Sequence, residues 1–396
     1  MQNDGRCFNF ALTFILLVFF FCSSGAAAFL TAGPAKEGRA LWVVRTSLLS
    51  AKSIDQLVEK ASQGGFNTLF VQVSGRGDAY FPSRVYPAAE DCRYLLESGF
   101  DPLAYALERA HAKGIAVHAW VNAFLIWSSP KRPASSAHVL NRHPDWMMVD
   151  KDGVSLARYG YSRFSELNIT GIFLSPAGDR ATRMLEEFVL DLVSRYPLDG
   201  IHLDYLRYPT GTVDFSPEAR KEFETITGVD PVNLFNGQSR KDRSETEYRE
   251  LLKQWKAFRA ELVTRFLAKL AKSLNQLKPQ LVRSVAVKPD IDSAYEDFGQ
   301  DWARWVKDGL LDMVLPMAYS TRPEVVRSQI SRACREVGPA HVWAGLRAWD
   351  VPVSGIIQRA QQIQGLNLAG YCFFSYDGMK DNPLFFESVK KVLFTP

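Results

Sequence analysis

Residues 200–209 read GIHLDYLRYP, and in an extended chain His202 and Asp204 share one face while Ile201, Leu203 and Tyr205 share the other. An imidazole and a carboxylate in an apolar stretch are costly to bury unless they are paired or put to use. The same two-residue alternation groups Gln72 with Ser74, His118 with Trp120 and Asn122, Ser284 with Ala286 and Lys288, and Met317 with Tyr319. Arg45, Arg347 and the pair Ser375 and Asp377 fall at the ends of three further apolar runs. Such a set offers carboxylates, imidazoles, amides and cations. Two carboxylates serve glycoside hydrolysis, one as acid and one as nucleophile or base. Two His and a carboxylate (His118, His202, Asp204) would instead suit zinc or iron, although no ligand-spacing motif joins them. The sequence holds neither a G-x-S-x-G elbow, nor a G-x-G-x-x-G turn, nor a P-loop.

These residues belong to a regular alternation of apolar strands and amphipathic helices. Strands are expected at 39–46, 67–74, 114–122, 200–209, 282–289, 312–320, 341–350 and 370–377. Helices are expected at 53–63, 101–113, 179–195, 245–277, 297–308, 323–336, 354–364 and 383–393. Eight strands alternating with eight helices predict an α/β chain, closed as a single (β/α)8 TIM barrel over residues 36–396. The polar sets then face inward and gather at the C-terminal ends of the strands, where barrel enzymes keep their active sites. The surplus length sits in two loops after strands 3 and 4, 123–178 and 210–244; in the first, Asp152-Gly153 reads as a hairpin turn. Ser53 is expected to cap the first helix and Asp101, followed by Pro102, the second.

Composition supports a soluble globular chain: of 396 residues, 47% are apolar and 23% charged, and the net charge is +4. No basic cluster interleaves with aromatics, which argues against nucleic acid as partner. Arg6, the apolar run Phe8–Cys22 and the small residues of SSGAAAF read as a secretory signal peptide over residues 1–28, with an uncleaved anchor as the alternative. Membrane contact is therefore expected through that segment or not at all. Cys92, Cys334 and Cys372 are spaced for neither a zinc site nor a disulfide framework and are read as free thiols. Tyr80, Phe81, Trp127, Trp146, Tyr159 and Tyr161, in loop positions, are candidate stacking surfaces for sugar rings.

The motifs FNTLFVQVSGRGDAYFPSRVYP, DPLAYALERAHAKGIAVHAWVN, HPDWMMVDKDG, GIHLDYLRYP and QDWARWVKDGLLDMVLPMAYS resemble those of the glycosyl-hydrolase-like 10 family of bacterial (β/α)8 proteins. The resemblance runs from Arg39 to about Asp377. It implies an exported glycoside hydrolase acting on cell-wall glycan (peptidoglycan) or another extracellular polysaccharide. Asp204 matches the family's acidic position at the end of strand 4; Tyr205 stands where many members carry a second acid. Asp301 of QDW matches a recurrent Asp. His118, Trp120 and Asn122 match HAW-N, while Gln72, Arg76 and Asp78 match the loop after strand 2. VKPDID replaces the family's frequent Pro-Phe-Gly after strand 5.

The expectation is a glycosidase with Asp204 as central carboxylate, Asp301 as its partner, and Asp377 and Asp290 in reserve. His202 would hold Asp204 or a sugar hydroxyl. Arg45, Gln72, Arg76, His118, Asn122, Lys288, Tyr319 and Asp377 would fix hydroxyls or an acidic substituent, and Trp120 would stack. No cofactor and no metal are expected. The rivals are a glycan-binding barrel without turnover and a metal-dependent hydrolase or deacetylase on the same floor.

Overall fold

The computed structural model describes residues 37–236 and 243–394. The segment read as a signal peptide or anchor, 1–28, lies outside the described residues. Eight parallel strands close into a barrel: β1 (Gly38–Val43), β2 (Thr68–Ser74), β3 (Ala116–Asn122), β4 (Gly200–Asp204), β5 (Val282–Val287), β6 (Met313–Ala318), β7 (Trp343–Arg347) and β8 (Gly370–Phe374). Neighbours in the ring are neighbours in sequence, and β8 returns to pair with β1. The helices that follow each strand are α1 (Ala51–Gln63), α2 (Pro102–His111), α3 (Asp179–Arg195), α4 (Glu245–Leu277), α5 (Trp302–Lys307), α6 (Pro323–Val337), α7 (Val353–Gln361) and α8 (Pro383–Val389).

The alternation of side chains sorts two cores. Leu41, Val71, Val117, Ile201, Val285 and Leu346 face outward and pack with the apolar stripes of the helices. Ala40, Trp42, Phe70, Trp120, Ala286, Leu315, Trp343 and Cys372 face inward and form a separate cluster inside the ring. Large rings fit there because strand glycines leave room for them. A Cβ at Gly200 would lie 2.4 Å from His118 Nδ1, and one at Gly38 would lie 2.1 Å from the Trp343 ring. The barrel is a packed core, not a pore.

Several local expectations change. Ser50, not Ser53, caps α1: its hydroxyl accepts from Ser53 N at 3.1 Å. Asp101 does cap α2, accepting from Leu103 N and Ala104 N. The helix expected over 297–308 is shortened to α5 and preceded by a separate helix, Ile291–Glu296; Gly299 takes a left-handed backbone (φ +65°) between them. Strand 8 ends at Phe374, and Ser375 caps a short helix, Tyr376–Met379. Cys372 and Phe374, rather than Ser375 and Asp377, therefore face the interior.

Both long loops carry structure, and the first walls the barrel mouth. In the first, Leu125–Trp127 pairs antiparallel with Ile172–Phe173, and Val149 bridges Ser155 across the predicted Asp152-Gly153 turn. In the second lies a helix, Pro217–Thr227. Phe215 N donates to Val149 O at 2.7 Å, and buried Asp214 accepts from Val149 N, Ser216 N and the Ser175 hydroxyl, which knits the loops together. Cys92, Cys334 and Cys372 are free thiols.

Candidate active site

Pairing of β3 with β4 sets Trp120 opposite His202 and Asn122 opposite Asp204. His202 and Asp204 both point into the ring, as the alternation predicts, but at different depths. Two residues along a strand is about 6.6 Å. His202 lies in the lower layer, fully buried: its Nε2 accepts from Trp42 Nε1 at 3.0 Å and its Nδ1 meets Ser284 Oγ at 2.9 Å. His118 lies in the same layer, its ring 4.9 Å from that of Phe70. Burial pushes both imidazoles down, His118 to about 4. Neither lines the cavity above, and His202 pairs with Trp42 and Ser284 rather than with Asp204. The barrel interior needs neutral, hydrogen-bonded groups at that depth, and these histidines supply them.

Asp204 lies in the upper layer, where a cavity of about 400 Å³ opens at the mouth. Trp42, Trp120, Tyr319, Trp349 and Phe374 give it aromatic walls. Arg45, Gln72, Asn122 and Asp204 supply the polar groups, and Leu125, Ser128 and Thr170 descend from the loop after β3. The polar groups brace one another. Arg45 Nη1 donates to Gln72 Oε1 at 2.9 Å, Trp120 Nε1 to Asn122 Oδ1 at 3.0 Å, and Asn122 Nδ2 to Gly75 O at 2.8 Å.

Tyr205 follows Asp204 with φ +50°, a left-handed conformation that is strained for an aromatic residue. That turn aims Tyr205 N at Asp204 Oδ1, 2.6 Å away; Asp204 Oδ2 accepts no hydrogen bond among the described residues. Burial pushes the Asp204 carboxyl up, while the Arg207 charge, the Tyr205 N–H and the Lys288 charge pull it back. Lys288 in turn is brought down to about 8 by burial and by Arg207. A buried acid with one oxygen oriented and the other open to a cleft is suited to give or take a proton.

The other predicted residues divide. Arg45, Gln72, Trp120, Asn122, Asp204 and Tyr319 line the cavity. Lys288 follows the end of β5 and does not line the cavity; its Nζ lies 4.6 Å from the Phe298 ring centroid. Arg76 stands aside, its guanidinium 5.0 Å from the Trp127 ring centroid and Nε 3.9 Å from buried Asp78. Asp377 accepts from Val44 N and Ser47 Oγ and pins the segment after β1. Asp290 caps the helix Ile291–Glu296, accepting from Ser293 N. Asp301, at the start of α5, lines a different groove with Phe223, Phe258, Glu261 and Arg304. It does not join Asp204, which is the lone carboxylate among the described residues that line the mouth cavity. Strand alternation misplaces Asp377, which lies in a helix beyond β8; Asp301, expected from the family resemblance, does start a helix, but one that turns it away from the mouth cavity. Trp42, Trp349, Phe374 and Thr170 escaped sequence reasoning; Trp42 alone carried a signal, by its parity in β1.

Tyr80, Phe81 and Trp127 are buried in the core and do not line the mouth cavity. Among the described residues no three His, Cys, Asp or Glu side chains are placed to hold a metal ion.

Comparison with known proteins gives the family and the fold. The chain is 26% identical to the glycosyl hydrolase DigH of Escherichia coli over 281 residues, 64% of this chain and 55% of DigH; it thus spans about half the length of that relative. It is 23% identical to the glycosyl hydrolase YngK of Bacillus subtilis, over 88% of this chain and 70% of YngK. The fold is shared with the PgaB (BpsB) glycoside hydrolase domain of Bordetella bronchiseptica: TM-score 0.68, 16% identity, 91% of this chain and 100% of that one. An alpha-L-fucosidase of Paenibacillus thiaminolyticus shares it too: TM-score 0.59, 14% identity, 90% of this chain and 48% of that one. The Glycosyl hydrolase-like 10 profile matches residues 37–361, and the chain belongs to that family.

Proposed function

We propose that this protein is an exported glycoside hydrolase acting on a bacterial cell-wall glycan or another extracellular polysaccharide, with Asp204 as its acid. The observation that carries the reading is the place of Asp204: a buried carboxyl, raised by that burial, in an aromatic-walled cavity at the C-terminal mouth of the barrel. Protonated Asp204 would deliver its proton through Oδ2 to the departing glycosidic oxygen while Tyr205 N holds Oδ1. Trp120, Trp42 and Tyr319 offer flat faces to the pyranose ring, and Arg45, Gln72 and Asn122 offer polar contacts to its hydroxyls. With one carboxylate in the cavity, water or a group of the substrate itself attacks the anomeric carbon as the glycosidic bond breaks, and the proton that water loses returns to the Asp204 carboxylate.

The lone carboxylate also favours a second reading, a barrel that holds glycan without cleaving it. Incubation of the protein with purified peptidoglycan and a polysaccharide panel, with products read by mass, separates the two. New reducing ends that disappear in Asp204→Asn support hydrolysis. Retained glycan with no product supports binding alone.

A further inference from the structure

Beside Asp204 two cations share one aromatic ring. The Arg207 guanidinium lies 5.5 Å from the Phe298 centroid and 4.6 Å from that of Tyr205; Lys288 Nζ lies 4.6 Å from Phe298. Arg207 is only 8% exposed, yet its Nε donates no hydrogen bond, and its Nη1 makes one, to Tyr208 O at 3.3 Å. Neither cation has a carboxylate within ion-pair distance among the described residues. Asp204 is the carboxylate whose charge both cations feel, and Arg207 depresses Lys288. One carboxylate thus faces two positive charges in a poorly solvated place, and an uncompensated buried cation is unfavourable.

The cluster is held rigidly. Tyr208 N donates to Phe298 O at 2.9 Å, and fully buried Gln300 accepts from Lys288 N at 2.9 Å while donating to Ala286 O at 3.2 Å. Rigid donors without a carboxylate partner, set behind an acid that lines the cleft, are what an anionic ligand group requires.

We infer that Arg207 and Lys288, set on Phe298 beside Asp204, form a subsite for the carboxylate of an acidic sugar, so that the cleft takes a carboxylated glycan. That the ligand is a sugar rests on the function proposed above; the anion preference rests on the cation pair. The test is titration calorimetry of the full chain at neutral pH with D-glucuronate, its methyl ester and glucose. Wild type and Asp204→Asn should both bind glucuronate about tenfold or more tighter than the ester, the loss of a charge-assisted contact. Lys288→Gln should erase most of that ratio and Lys288→Arg should keep it, both measured in folded protein. Equal affinity for acid and ester, or a preference that survives Lys288→Gln, overturns the subsite. Hydrolysis of a neutral glycan with no acid preference removes the subsite but leaves the hydrolase. Acid preference without cleavage of any glycan does the reverse.

Discussion

Trp42 and His202 meet across the barrel interior, the indole Nε1 donating to the imidazole Nε2 at 3.0 Å. An imidazole that accepts at Nε2 carries its proton on Nδ1, which then donates to Ser284 Oγ. The ring is therefore neutral, and burial beside His118 keeps it so.

The neutral histidine layer predicts an acid-side stability slope. His118, lowered from 6.5 to about 4, binds its proton less readily folded than unfolded, so stability drains as the pH falls from 6.5 towards 4. The share of one such imidazole is up to about 1.4 kcal/mol per pH unit. The buried carboxyls of Asp78, Asp204 and Asp214, raised by burial, act in the opposite sense, contributing stability below their unfolded value that is lost as pH rises. The informative quantity is therefore a difference: urea unfolding across this window should show the stability of His118→Phe rising relative to wild type as the pH falls. Identical slopes would show that His118 titrates normally in the fold.

Asp204→Asn should lower kcat by about a hundredfold or more, the contribution of a positioned proton donor. Its fold should persist, because the amide keeps the shape of the carboxyl and can still accept from Tyr205 N. Turnover by product mass and thermal unfolding by circular dichroism check the two halves.

The barrel was legible because its signal repeats. Leu69, Val71 and Val73 against Gln72 and Ser74, or Ile201 and Leu203 against His202 and Asp204, state the in-and-out pattern of a stave wherever the chain is extended. The same rule fails once the strand stops. Asp377 follows β8 into a short helix, and Asp301 follows the kink at Gly299, so parity says nothing about either. Nor does alternation report depth: His202 and Asp204 share a face but lie in different layers, one structural and one at the cleft. Gln300, whose amide ties β5 to the segment after β4, sits in an irregular stretch where no spacing points to it.

Lys288 tests which part Asp204 plays. A cation that lowers the Asp204 carboxyl is lost in Lys288→Gln, so that carboxyl should titrate at higher pH. If Asp204 is the acid, the alkaline limb of kcat/KM moves to higher pH. Movement of the acid limb instead would make it a base or nucleophile. The pH–rate profile of the two proteins on one substrate decides.

Gln300→Leu should cost about 1–3 kcal/mol in stability by leaving Lys288 N and Ala286 O without a partner. The same change should loosen the Lys288 backbone beside Asp204, so kcat should fall further than in a distant variant of equal stability. Denaturant midpoints with matched kinetics provide the measurement.

Gly200 and His118 test the packing of the lower layer as a pair. The β3–β4 register sets them directly opposite, and a Cβ at 200 would press on His118 Nδ1 at 2.4 Å and on its Cε1 at 2.6 Å. Neither atom can retreat far, since the ring is wedged edge-on against Phe70. Gly200→Ala should therefore destabilise by about 1–3 kcal/mol, the usual range for overpacking. His118→Ala should also destabilise, by the cavity it opens. Combined, the added methyl enters space the ring has left, so the double variant should be more stable than the sum of the single losses by about 0.5 kcal/mol or more. Additive losses in a denaturant-unfolding cycle would mean that the glycine serves the backbone and not the ring.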